Sequence, residues 1–174
     1  MRKVLALVHL IIIALLFTLP GCGGGGGDDG SASASSPQAV VTLSTQSTAV
    51  LASNTIRGIE LYVDLPAGVS VKTDSTGKAA SGVVVAAGSA TGPNTTILGN
   101  YPVTDPVSGN GNALKIVLAD TDGFNPGDFA VVTCDRASGV SPGPSAFQVN
   151  GFKAVDQTGT EISGLSVAYS VQLK

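Results

Sequence analysis

Asp120-Thr121-Asp122-Gly123-Phe124-Asn125-Pro126-Gly127-Asp128 gathers three carboxylates and an amide within nine residues. Hard oxygen ligands at that density are what Ca²⁺ takes. An EF-hand loop would need Gly at its sixth place and Glu at its twelfth, and counting from Asp120 those places hold Asn125 and Val131. Asp, Gly, Asn and Pro also build turns, so a polar turn between two strands is the better reading. Asp120, Asp122 and Asp128 stay as a weak calcium candidate. Glycoside hydrolysis needs two carboxylates, and Asp64 with Glu60 or Asp120 with Asp122 would share a side of an extended chain. Neither pair is marked by a cleft or a perturbed acid, and polar residues on a strand's solvent side are ordinary.

Other chemistry is narrower still. His9 is the only histidine, and it lies in an N-terminal segment expected to be removed. The remaining chain then has no imidazole for a base, a triad or a metal. Cys134 ends the apolar run Phe129-Ala130-Val131-Val132-Thr133-Cys134, where a thiol acts as a small hydrophobe. Catalysis is therefore not expected, and no cofactor is implied. Sugars stack on exposed rings, for which the possible ligand contacts are Tyr62, Tyr101 and Phe124. With no Trp, a flat polysaccharide platform is disfavoured. Packing is the competing role: Phe124 would plug an end of the fold and Tyr62 would pack across strands.

The N-terminus carries a different kind of chemistry. Arg2 and Lys3 precede an apolar run, Val4 to Phe17, and then come Leu19-Pro20-Gly21-Cys22 and glycines 23 to 27. This run of fourteen residues, apolar but for His9, falls short of the roughly 20 that span a bilayer. A basic start, an apolar middle and a small residue before the cut make an export signal. With Leu19, Gly21 and Cys22 in place it resembles a bacterial lipoprotein signal, although Pro20 departs from the usual second position. That resemblance implies a signal peptide over 1–21, cleavage before Cys22, and lipidation of its thiol. Gly23 after the cysteine is consistent with sorting to the outer membrane. Residues 22–38, rich in Gly, Ser and Ala, read as a flexible tether reaching roughly 20–25 Å.

Cleavage would leave 153 residues, enough for one domain with a real core. Seven basic residues would then face twelve acidic ones, since Arg2 and Lys3 are lost from nine. Scattered acidic charge without a Lys/Arg cluster excludes nucleic acid as the partner.

The elements that must position these side chains are strands. Residues 56–65 (IRGIELYVDL) alternate Ile59, Leu61, Val63 and Leu65 against Glu60, Tyr62 and Asp64. Further strands are expected over 39–45, 69–72, 82–87, 95–98, 113–119, 128–134, 146–156 and 165–173, with 82–87 (GVVVAA) the more fully buried. Gly, Pro, Asn and Asp turns separate them, and no stretch carries helical periodicity. The expected fold is all-β, an antiparallel sandwich of about nine strands over 39–174. Its inner faces would hold Ile59, Leu61, Val63, Leu65, Leu114, Ile116, Leu118, Phe129, Val131, Val149, Val167 and Val171.

Residues 56–69, the runs Leu114 to Leu118 and Gly127 to Val132, Phe147-Gln148-Val149, and the turn Asp156-Gln157-Thr158-Gly159 together resemble a cohesin-type domain. The resemblance implies a nine-stranded jelly-roll related to carbohydrate-binding modules. The expectation is a lipid-anchored envelope protein whose cohesin-like module serves interaction or scaffolding. The alternative is a carbohydrate-binding module on the same anchor, so the partner would be a protein or a polysaccharide, with the membrane engaged through lipid.

Overall fold

The computed structural model describes residues 36–52 and 55–174. The expected signal peptide, Cys22 and the tether up to residue 35 lie outside the described residues. Among the described residues nine strands form: β1 (Gln38–Ser47), β2 (Ile56–Asp64), β3 (Val69–Ser70), β4 (Val84–Ala86), β5 (Thr95–Val103), β6 (Ala113–Phe124), β7 (Asp128–Arg136), β8 (Gln148–Val155) and β9 (Leu165–Leu173). They build two antiparallel sheets. In one, β3 and β4 both pair with β7, which is followed by β1 and β9; the other runs β5-β6-β2-β8. The all-β sandwich expected from alternation is the fold observed.

Alternation explains which side chains meet between the sheets. Ala39, Val41 and Leu43 of β1 are fully buried, as are Leu61 and Val63 of β2 and Leu114 and Ile116 of β6. Phe124, Phe129 and Phe147 are the largest side chains in this layer. Thr45 continues the inward face of β1, and its hydroxyl is satisfied there: it accepts the Gly127 N–H at 3.0 Å and donates to the Gly127 carbonyl at 3.3 Å.

Three expectations are corrected. Val131 was expected inside, yet Phe129, Ala130, Val132 and Cys134 are the buried residues of β7, and Val131 is half-buried. A β-bulge is the reason. Leu43 pairs with Ala130 and Ser44 with Asp128, so Phe129 is the extra residue that reverses the alternation. The second correction concerns 82–87, expected to be well buried. β4 pairs only with β7, and Val85 is 40% exposed at that sheet margin. Third, the segment expected as a turn from Asp120 is mostly strand, because β6 runs on to Phe124.

The sandwich ends are tied by Arg136. Its guanidinium donates to the Gln38 carbonyl at 2.9 Å, the Val140 carbonyl at 2.6 Å and the Lys174 carbonyl at 2.9 Å. One side chain thus joins the first strand, the last strand and an intervening loop.

Backbone approach is closest at Gly88, between β4 and β5. Its φ is +53°, and a Cβ there would sit 2.5 Å from the Asp128 carbonyl oxygen. Both the conformation and the space demand glycine. Gly88→Ala is expected to destabilise the domain by about 1–3 kcal/mol, measured as a lowered midpoint in urea unfolding. An unchanged midpoint would contradict this close approach.

Candidate functional site

The outer face of the four-stranded sheet displays Glu60 and Tyr62 of the residues noted in the sequence. Tyr62 of β2 lies in register with Lys115 of β6 and Asn150 of β8. The Lys115 ammonium stands 5.6 Å from the Tyr62 ring centroid and 3.1 Å from the Glu60 carboxylate. The Glu60 hydrogen bond is the main reason that the Lys115 ammonium holds its proton more tightly than usual. Leu98 of β5, 49% exposed, pairs with Val117 in the same face. An aromatic ring, two aliphatic side chains and a charged pair share this surface.

The other two rings point elsewhere. Tyr101 packs against the core, and its hydroxyl donates to the Asn112 side-chain oxygen at 2.5 Å. Burial pushes its phenol above the ordinary range. Phe124, 1% exposed, belongs to the core and so presents no ring face to a ligand; its packing role is the one realised. Of the three rings proposed for ligand contact, Tyr62 alone stands on the outer face.

Two carboxylates of the acidic segment, Asp120 and Asp122, already have donors. Asp120 Oδ1 accepts the backbone N–H groups of Asp122 and Gly123, both at 2.8 Å, and Oδ2 accepts the Thr95 hydroxyl. Thr95 is the leading reason that the Asp120 carboxyl is held below the usual carboxylate range, with the backbone donors and Arg57 adding to it. Asp122 accepts the Asn94 amide at 2.8 Å. Among the described residues no three His, Cys, Asp or Glu side chains converge as a metal site, so Asp120, Asp122 and Asp128 do not form one.

Sequence reasoning missed a second constellation. Period-two alternation puts Asp64 on the solvent side of β2 with Glu60 and Tyr62, yet it is only 5% exposed. The loop between β5 and β6 (104–112) folds over it and brings Asp105, which is fully buried. Ser108 Oγ donates to Asp64 Oδ2 at 2.6 Å. The Asn150 amide spans both acids, 3.2 Å from Asp64 Oδ2 and 2.8 Å from Asp105 Oδ2. Asp105 Oδ1 accepts the Val107 N–H at 2.7 Å, whereas Asp64 Oδ1 is buried without a hydrogen-bond partner. Desolvation, with the neighbouring Asp105, raises the Asp64 carboxyl above its ordinary value. Asp105 is desolvated too, but its donors, chiefly the Val107 N–H and then Asn150, outweigh this and hold it low. Asp64 borders an open depression of about 480 Å³ with Ser108, Asn110, Asn112 and Gln148. The sequence signal for this site was Asp-Pro followed by Ser-Gly-Asn-Gly-Asn, which reads as a loop and not as a cover for β2.

Cys134 is a free, fully buried thiol. Desolvation first, and then Asp135, push it up to about 12. Comparison with protein-family models, with curated proteins and with solved structures returned no match.

Two predictions follow from these environments. The native protein is expected to leave Cys134 unmodified by an alkylating reagent at neutral pH and to react fully once unfolded in denaturant. Labelling of the native state at the rate of a free thiol would refute the burial. The Asp120 carboxyl is held low in the folded state, so its contribution is present above the unfolded value of 3.8 and is lost as pH falls through the lower folded value. Asp120→Asn should cost about 1–3 kcal/mol near neutral pH. The gap to wild type should narrow in acid, as read by urea midpoints across pH.

Proposed function

We propose that this chain is a lipid-anchored envelope protein whose β-sandwich is a non-catalytic module for interaction or scaffolding. The observation that carries the reading is the order of its first residues: Arg2 and Lys3, an apolar run, Leu19-Pro20-Gly21-Cys22, then glycines. Residues 1–21 act as the signal, Cys22 takes the lipid and residues 22–38 tether the domain. β1 starts at Gln38, the last residue assigned to the tether, so the linker composition leads directly into the first strand. The sandwich is of the kind that the cohesin-type resemblance implies, and an outer membrane location fits Gly23.

The recognition surface in this reading is the outer face of the four-stranded sheet. Tyr62, Leu98 and Val117 supply apolar area, while Glu60, Lys115 and Lys153 give it polar edges. Protein interfaces commonly combine aromatic anchors with charged margins. Tyr62 and Tyr101 exposed together on one sheet would favour the carbohydrate alternative. Tyr101 instead packs against the core, which favours a protein partner.

Two measurements test the reading. Cys22→Ser should move the protein from the membrane fraction to the soluble fraction; retention in the membrane would sink the anchor. Immobilised wild type should capture from envelope extract a protein that Tyr62→Ala fails to capture, with the variant's melting temperature checked alongside. Binding on a glycan array, with no Tyr62-dependent protein, would favour the carbohydrate module.

A further inference from the structure

Asp64 and Asp105 bring more negative charge together than their surroundings balance. They are 5% and 0% exposed. The hydrogen-bond donors around them, chiefly the Ser108 hydroxyl, the Asn150 amide and the Val107 N–H with Asn110 nearby, are all neutral. The ion pairs found among the described residues, Lys72–Asp135 and Lys115–Glu60, lie elsewhere. Neutral donors orient a carboxylate without removing its charge, and buried charges normally find a counter-charge or a metal. Asp64 Oδ1 sharpens the point, for it is closed off from solvent and has no partner. An ionised carboxylate oxygen can only accept, so a positive centre is what it lacks.

We propose that Asp64 and Asp105 form a site for one hard divalent cation of the Ca²⁺ class, anchored on Asp64 Oδ1. Ser108, Asn110 and Gln148 border the adjoining depression with Asp64, and each carries a side-chain oxygen. This inventory is oxygen only, which suits Ca²⁺ or Mg²⁺ over metals that favour thiolate or imidazole. Calcium accepts six to eight oxygens in irregular shells completed by water, whereas magnesium demands a near-octahedral one. The depression opens to solvent and can supply that water. The covering loop is held by its own bonds, with Asp105 N–H donating to the Asn110 carbonyl at 2.9 Å and Gly109 N–H to the Asp105 carbonyl at 2.8 Å. With only two carboxylates, affinity is expected in the weak range of extracellular modules, about 10⁻⁴–10⁻³ M. Asp120 has no such free oxygen, both of its oxygens being engaged; those of Asp105 each hold one donor as well, so the site depends on Asp64 Oδ1.

The test uses the full chain purified in detergent and stripped with EDTA. Millimolar CaCl₂ near neutral pH should raise the melting temperature by roughly 2–5 °C, with MgCl₂ giving less. Asp64→Asn should lose this shift, while Asp122→Asn, in the acidic segment, should keep it. Titration calorimetry of the wild type with CaCl₂ should show binding, so the result does not hang on how the variants fold. Absence of calcium binding in the wild type, or a calcium shift that persists in Asp64→Asn, overturns the proposal. So does a melting temperature that ignores calcium but rises from about pH 7 to about pH 5, an increase lost in Asp64→Asn. That outcome would assign the missing positive charge to a proton shared by the two acids.

Discussion

Contact between the inner faces of the two sheets is the interaction to which the other features answer. The layer between them is built largely from Val, Leu, Ile and Ala, with Phe124, Phe129 and Phe147 as its bulkiest members. Fully burying a Val, Leu, Ile or Phe side chain contributes roughly 1.5–3 kcal/mol, so many medium-sized side chains here do what a few large aromatics do in other sandwiches. Such a layer tolerates little error in alternation, because a one-residue slip turns an apolar set toward water. The bulge at Phe129 is placed where it corrects this. It lets Phe129 and Ala130 both point inward and passes the inward role on to Val132 and Cys134.

Once the layer is closed, the outer faces are free to differ. On the four-stranded sheet, Glu60, Tyr62 and Lys115 engage one another and remain within reach of a partner. Farther along β2, the loop over 104–112 turns the same outer face into an interior. There, polar side chains are removed from water by a cover of polar loop, and each must find a bond. Ser108, Asn150 and the Val107 N–H supply most of these, and Asp64 Oδ1 is left over. Buried polar networks left partly satisfied are costly unless something else completes them.

Strand existence was legible in the sequence because one face of each strand is apolar, and period-two alternation survives any detail of packing. Residues 56–65 and 113–119 show this most clearly. Boundaries were less legible. β5 runs from Thr95 to Val103 although only 95–98 carried the pattern, and β6 continues through Asp120 and Asp122. In both cases pairing with a neighbour extends the ladder past the residues whose composition announces it. For β4, the apolar string Val83-Val84-Val85 suggested burial, but its place at a sheet margin left Val85 exposed.

From the residues alone came the all-β class, the list of nine strands, most of the inner face and the proposal that the first 22 residues direct export and lipidation. These rest on local composition and spacing, which no distant contact alters. The tertiary structure decided which rings are available, that Phe124 and Tyr101 serve the core while Tyr62 stands outside, and where the alternation of β7 reverses. It also decided that Asp64, placed on the water side by its position in β2, meets Asp105 in the interior. That meeting joins side chains 41 positions apart in the chain. It follows from a loop closing across a sheet, a long-range event that no local pattern encodes.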